Sequence, residues 1–230
     1  MEKKVKLWWS EGPAPGNMGD ILSPVILKKL GYKIERVQKN TSGKLNAIGS
    51  TAKFIMPNDI VWGTGIMRDS DPIEKNATYL AVRGPLTGEK VNCSVYGDPA
   101  LLCSKLFPMP KASAEITGFI PHYVDYGIAL ENKINILHRN PLEVVKKLTQ
   151  CSKIISTSLH GIILAHAYGI PAAWWKASDK LKGDGSKFRD YALSVGVELP
   201  AAQNLSELVY EKPEQSKIEE IQENLIDVLL

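Results

Sequence analysis

The sequence predicts an α/β protein of two Rossmann-like lobes facing each other across a cleft. Three observations predict it. Short apolar runs alternate with loop and helix signals along the whole chain, the pattern of parallel strands joined by right-handed helical crossovers. A segment with two prolines and two lysines, residues 104–113, interrupts the rhythm and has the composition of a linker. Beyond it the rhythm restarts. The expected division is residues 1–105 for an N-terminal lobe and 106–230 for a C-terminal lobe closed by a final helix.

Val5 to Ser10 reads as a buried strand, followed by a Gly/Pro-rich loop to Asp20. A helix is expected from Ser23-Pro24, with serine as cap and proline in the first turn, to Gly31. Ile34 to Val37 is a short strand, and 40–53 carries no clear signal. Ile60 to Trp62 is a strand running into the Gly63-Thr64-Gly65 turn, and Tyr79 to Arg83 a strand before a helix opened by Gly84-Pro85. Gly97-Asp98-Pro99 is a turn ahead of Ala100-Leu101-Leu102. In the second half, strands are expected at 115–121, 133–137, 153–156 and 170–175. Helices are expected at 141 onward, capped by Asn140, at 159–168, at 187–195 and at 214–230.

Composition narrows the function. With 230 residues, 44% hydrophobic and 23% charged, the chain can bury one large core or two small ones. A net charge of +3 spread along the chain is not the basic stripe of a nucleic-acid binder. No apolar run reaches the roughly 20 residues that span a bilayer, and the start lacks the apolar core of a signal peptide. Cys93, Cys103 and Cys151 are odd in number and form no CxxC pair. They read as reduced, buried thiols, which predicts a cytoplasmic protein.

In parallel α/β sheets, ligands bind beyond the carboxyl ends of the strands, so the loops there are the candidate sites. The sharpest is Ser156-Thr157-Ser158-Leu159-His160-Gly161, where hydroxyls and free N–H groups meet a helix N-terminus suited to phosphate or carboxylate. His160 there can bond or donate a proton; equally, the hydroxyls could only cap the helix. Arg83 at another strand end offers a guanidinium fork for an anion, or a structural salt bridge. Asn17, Gly19 and Asp20 lie in the loop after the first strand, where glycine permits close approach to a ligand and Asp20 is a base or a helix cap. Gly63 and Gly65 form a similar turn. His122 follows the first strand of the second half. Lys180 to Arg189 reads as a basic lid over an anion or as a solvated loop, and His166 as a core histidine. The doublets Trp8-Trp9 and Trp174-Trp175 either floor the cleft or pack in the core.

No GxGxxG, P-loop, GxSxG elbow or HExxH is present, so dinucleotide, P-loop and serine-hydrolase chemistry find no motif, and no metal site is expected.

The ordered set Asn17-Met18-Gly19-Asp20, Trp62-Gly63-Thr64-Gly65, Arg83-Gly84-Pro85, Gly97-Asp98-Pro99-Ala100-Leu101-Leu102, Pro121-His122-Tyr123, Ser158-Leu159-His160-Gly161, Gly169-Ile170-Pro171 and Lys187-Phe188-Arg189-Asp190-Tyr191 resembles the polysaccharide pyruvyltransferase family, in its succinoglycan-type exopolysaccharide branch. The resemblance implies a GT-B-like fold and transfer of pyruvate from phosphoenolpyruvate to two hydroxyls of a glycan sugar as a cyclic ketal, with no further cofactor. It implies that Arg83, His160 and a lysine hold the donor. Lys187 is the favoured lysine and Lys180 the alternative, with Ser158 and the helix end assisting. His160 is then the acid or phosphate stabiliser, and Asp20 or His122 acts at the acceptor. A lipid-linked acceptor would bring the protein to the inner membrane face. The competing expectations are a GT-B glycosyltransferase using a nucleotide sugar and a non-catalytic module of a polysaccharide assembly complex.

Overall fold

The computed structural model describes residues 3–110 and 114–229. Residues 111–113 of the expected linker, Met1 and Glu2 of the charged start, and Leu230 of the closing helix lie outside the described residues. Two fully parallel sheets organise the chain. The first has five strands in the order β2-β1-β3-β4-β5: β1 (Lys3–Trp8), β2 (Tyr32–Arg36), β3 (Leu45–Asn46), β4 (Ile60–Trp62) and β5 (Thr78–Ala81). The second has three, in the order β6 (Thr117–Ile120), β7 (Lys153–Ser156) and β8 (Ala172–Trp174). Among the described residues seven α-helices accompany the sheets: α1 (Met18–Lys29), α2 (Pro85–Gly88), α3 (Cys103–Leu106), α4 (Pro141–Leu148), α5 (Leu159–Ala167), α6 (Ser186–Val195) and α7 (Gln215–Asp227). The α/β expectation holds. Among the described residues no helix is long and apolar enough to cross a membrane, and all three cysteines are free and buried.

Several elements depart from expectation. Strand β1 is mostly accessible along its first residues, with only Leu7 fully buried. Helix α1 begins at Met18, five residues before Ser23. Asn17 is its cap, accepting from the Gly19 N–H at 3.1 Å, and Pro24 lies inside the helix. Ser23 Oγ instead accepts from the Ile48 N–H. Proline at that position has no N–H to give the carbonyl of Asp20, which is the cost of running the helix through it. The segment 133–137 is not a sheet strand. Lys133 makes a single parallel bridge to Phe119, and Leu137 then bridges antiparallel to Asn17. Its carbonyl and N–H groups reach across to the first half, with Met18 N–H donating to Ile136 O and His138 N–H to Gly16 O. Residues 187–189 fall within both the expected 187–195 helix and the expected 180–189 loop; they belong to the first turn of α6, so the helix expectation holds and the loop ends earlier.

The core crosses both sheets. Leu7, Met18, Leu22 and Trp62 of the first half form one buried cluster with Ile154, Ile162, Leu164, Phe188 and Tyr191 of the second. Helix α5 is apolar all round and buried from Gly161 to Ala167, as a central helix must be. Helix α7 turns back to the first sheet. Ile218, Ile221 and Leu225 are buried, Trp62 Nε1–H donates to Leu225 O at 2.8 Å, and Gln222 donates to Leu101 O at 2.7 Å.

His166 on α5 is the core histidine its neighbours predict. Its Nδ1 meets the Tyr191 hydroxyl and its Nε2 the Glu211 carbonyl, each at 3.0 Å. Burial pushes its pKa down to about 4 from the ordinary 6.5, against the pull of the Glu211 bond. The unfolded chain therefore binds the extra proton first as pH falls. The stability His166 confers is complete above 6.5 and is lost as pH drops through about 4, amounting to roughly 3 kcal/mol. The urea midpoint should fall between pH 7.5 and 4.5, and less steeply in His166→Gln; equal slopes would show that another group carries the acid sensitivity.

Candidate active site

The carboxyl ends of both sheets converge on one cavity of about 390 Å³. Trp8 and Ser10 follow β1, Ser50, Thr51 and Phe54 follow β3, and Arg83 follows β5. From the second sheet come His122 after β6, Ser158 and His160 after β7, and Lys187 on α6 after β8. Asn17, Asp20 and Asp98 complete the polar wall. A larger groove, about 800 Å³, lies at the other end of α5 beside Tyr168 and α7, away from the strand ends.

Arg83 is fully buried, and each of its bonds has a reason. Nη1 donates to Ser50 Oγ at 2.7 Å, and Nη2 donates to Ile66 O and, at 3.0 Å, to Asp190 Oδ2. Nε has no partner, leaving a donor on a cation that lines the cavity. Asp190 has no accessible surface and also accepts from Thr87 N–H at 3.0 Å and Thr87 Oγ1 at 2.6 Å. Gly65 and Gly84 make room for this arrangement. A Cβ at Gly84 would stand 1.8 Å from Asp190 O, and one at Gly65 would stand 2.7 Å from Arg83 Cζ.

Lys187 is 7% exposed and makes no hydrogen bond or ion pair among the described residues. Its Nζ lies 5.3 Å from the Phe188 ring, which stacks on Trp174 at 3.9 Å. Burial, with Arg83 adding to it and Asp20 opposing, pushes its pKa down to about 8. His160 is wedged against α1, where a Cβ on Gly19 would stand 2.0 Å from its Cγ. Burial first, then Lys187, His122 and Arg83, push its pKa down to about 3, so the imidazole is neutral at pH 7. Burial likewise pushes His122 down to about 4, and its Nδ1 accepts from Val124 N–H, which leaves the ring proton on Nε2.

The carboxyl groups move the other way. Asp20 is raised to about 7 by burial, with Lys187 opposing and Asp98 adding to the rise. Asp98 is raised to about 6 by burial, although its Oδ1 accepts from Ala100 N–H and Arg83 is near. Lys187, lowered to about 8, lies beside two carboxyl groups raised to about 7 and about 6, and these three groups are poised for proton transfer near neutrality. The helix end adds neutral donors. Ser158 is the cap residue of α5, its side chain makes no capping bond, and the N–H groups of Leu159 and His160 precede the first intrahelical bond.

Of the residues the sequence singled out, Asn17, Asp20, Arg83, His122, Ser158, His160 and Lys187 line this cavity, although Asn17 spends its oxygen on the helix cap. Gly19, Gly63 and Gly65 act one layer behind it, Gly63 holding φ +94° against Pro99. Lys180 is exposed outside the cavity. The loop that carries it is anchored at its far end by Asp184, which accepts from Asp69 N–H and Ser186 N–H. Asp98 and Asp190 were missed as site residues. Asp190 carried one usable signal, its position three residues after Lys187 on one helix face.

The family described as polysaccharide pyruvyl transferase matches residues 58–174, from just ahead of β4 to the end of β8, and so includes Arg83, His122, Ser158 and His160. The chain belongs to the polysaccharide pyruvyltransferase family. This pyruvyltransferase-family chain is 31% identical over 161 residues to the succinoglycan biosynthesis protein ExoV of Rhizobium meliloti (strain 1021), covering 64% of the chain and 49% of that protein. It is 32% identical over 171 residues to the uncharacterized protein L143 of Acanthamoeba polyphaga mimivirus, covering 66% of the chain and 60% of that protein. The matched stretch thus spans about half to three-fifths of these relatives' length. No solved structure matches the family member described here.

Proposed function

We propose that this chain transfers the pyruvyl group of phosphoenolpyruvate to two hydroxyls of a glycan sugar, forming a cyclic ketal in polysaccharide biosynthesis, across the cleft of a two-lobed GT-B-like fold. The observation that carries the reading is the pair of buried cations, Arg83 with an unpartnered Nε and Lys187 with no anionic partner, beside the open N-terminus of α5. Phosphoenolpyruvate brings a carboxylate and a phosphate, and both need such a cradle.

The protons balance within the site. Carbon 3 of the donor takes one proton, which makes carbon 2 electrophilic. One sugar hydroxyl adds there and gives up its proton. The second hydroxyl then replaces phosphate, giving up another, and the departing phosphate carries that second proton away. Arg83, Lys187 and the α5 end hold the donor's charges. His160 and Asp20, both within the cavity, relay the protons, and His122 offers Nε2–H to the acceptor side. An acceptor built on a lipid carrier would bring this cytoplasmic reaction to the membrane face.

Calorimetric titration with phosphoenolpyruvate, UDP and GDP tests the reading. Wild type should bind phosphoenolpyruvate and neither nucleotide. Arg83→Ala should lose that binding, and so should Lys187→Gln, which leaves the Arg83–Asp190 pair intact. Binding of a nucleotide without phosphoenolpyruvate would make the chain a glycosyltransferase.

A further inference from the structure

We propose that the Trp8–Phe54–Lys39 wall of the cavity seats the acceptor saccharide, and that this saccharide carries a phosphate or carboxylate close to the ring receiving the pyruvate; the proposal rests on the pyruvyl-transfer reading above. The cavity has two chemically different ends. Arg83, His160 and Lys187, whose charges act on one another, form one group of its lining, and Trp8, Phe54 and Lys39, which touch through the Phe54 ring, form the other. A volume of about 390 Å³ exceeds what a three-carbon phosphate ester fills, leaving the second end for the second substrate.

Trp8 and Phe54 meet edge to face with ring centres 5.7 Å apart, and both are partly exposed at the cavity. Such faces suit the apolar C–H face of a pyranose, whose hydroxyls remain free at its edge. Two ammonium groups stand over Phe54: Lys39 Nζ at 4.7 Å and Lys53 Nζ at 5.1 Å from the ring centre. Among the described residues neither has a carboxylate within ion-pair distance. The contrast lies next door, where Arg36 stands 4.5 Å over Trp9 but is neutralised by Glu11 at 2.7 Å. The positive charge at the Phe54 mouth is thus uncompensated, and a neutral glycan would leave it so.

Chain connectivity ties this wall to the donor end. Ser50, which accepts from Arg83 Nη1, lies four residues before Phe54 on the segment that ends in the 3₁₀ turn Ala52–Phe54. A saccharide lying on Phe54 is therefore held by the same short segment that contacts the donor-binding Arg83.

The test saturates the protein with phosphoenolpyruvate, so that the donor end is filled, and then titrates methyl glucoside, glucuronate and glucose 1-phosphate. At least one anionic probe should bind about tenfold more tightly than the neutral one, the sum expected of two exposed lysine contacts. Preference for glucose 1-phosphate would identify phosphate as the acceptor's charge, and preference for glucuronate a carboxylate. Lys39→Gln with Lys53→Gln should erase the advantage and leave the phosphoenolpyruvate affinity unchanged. Phe54→Leu should weaken all three probes alike. Equal binding of the three, no binding of any, or an advantage that survives the lysine substitutions overturns the proposal. If phosphoenolpyruvate fails to saturate wild type, the reading beneath it falls before any saccharide is added.

Discussion

His160→Ala should cut turnover by roughly 10²–10⁴-fold, the usual contribution of a positioned proton-transfer group. The ring makes no hydrogen bond with the described protein, so nothing in the fold depends on its polar atoms. It lies against Gly19, and its removal leaves a gap open to the cavity rather than one sealed in the core. Turnover should fall much further than stability. The charge state offers a second measurement. His160 is neutral in the free protein because burial, Lys187, His122 and Arg83 all oppose its proton. A bound carboxylate and phosphate offset the two cations, so the pKa of His160 rises on binding. Titrations of phosphoenolpyruvate at pH 7 in buffers of different ionisation heat should therefore show proton uptake, smaller in His160→Ala. A variant within threefold of the wild-type rate, measured as phosphate release, would remove His160 from the chemistry.

Asp190→Ala should destabilise the protein by about 3 kcal/mol, the lower end of the cost of breaking a buried ion pair. The lower end applies because Arg83 keeps its bonds to Ser50 and Ile66. What it loses is the one buried carboxylate paired with it, and Thr87 loses the acceptor for both its N–H and its hydroxyl. The urea midpoint reads this directly. Arg83→Met combined with Asp190→Leu should recover part of the stability, since no unpaired charge remains although Thr87 still lacks its acceptor, yet it should not bind phosphoenolpyruvate. If Asp190→Ala stays within about 1 kcal/mol of wild type, the pair is not holding α6 against the first half, and Lys187 is placed by other contacts.

The legible parts of this chain are those written locally. The strand before Gly63-Thr64-Gly65, the Asn140 cap of α4, and β7 running into Ser158 and α5 each carry their signal within a few residues, and each lies where it was expected. Helix α1 was misread because Ser23-Pro24 imitates a helix start, while the real cap, Asn17, is fixed by a neighbour far along the chain: the 136–138 segment that bonds Met18 and Gly16. Segment 133–137 has a strand's composition but spends its backbone bonds on that crossing. In the site, Arg83, His160 and Lys187 were visible as residue types at strand or helix ends. Their meeting in one cavity was expected from the family resemblance and not from any local signal, and the Asp190 partner of Arg83 was not legible, because the two meet across 107 residues of sequence. Asp98 carries no signal of its own within Gly97-Asp98-Pro99, since a cap and a cavity carboxyl look alike in sequence.

The return of α7 to the first sheet has a consequence for how the protein is made. Ile221 and Leu225 lie against Gly97, where a Cβ would stand 2.5 Å from Ile221 Cγ2, and Trp62 waits for the carbonyl of Leu225. On a ribosome the first sheet emerges early and its covering helix after every other described element. Until then, surface belonging under Ile218, Ile221 and Leu225 faces water, withholding roughly 5–8 kcal/mol of burial. The first half is therefore a nascent chain with an open apolar flank, and it closes only when synthesis has passed the last strand.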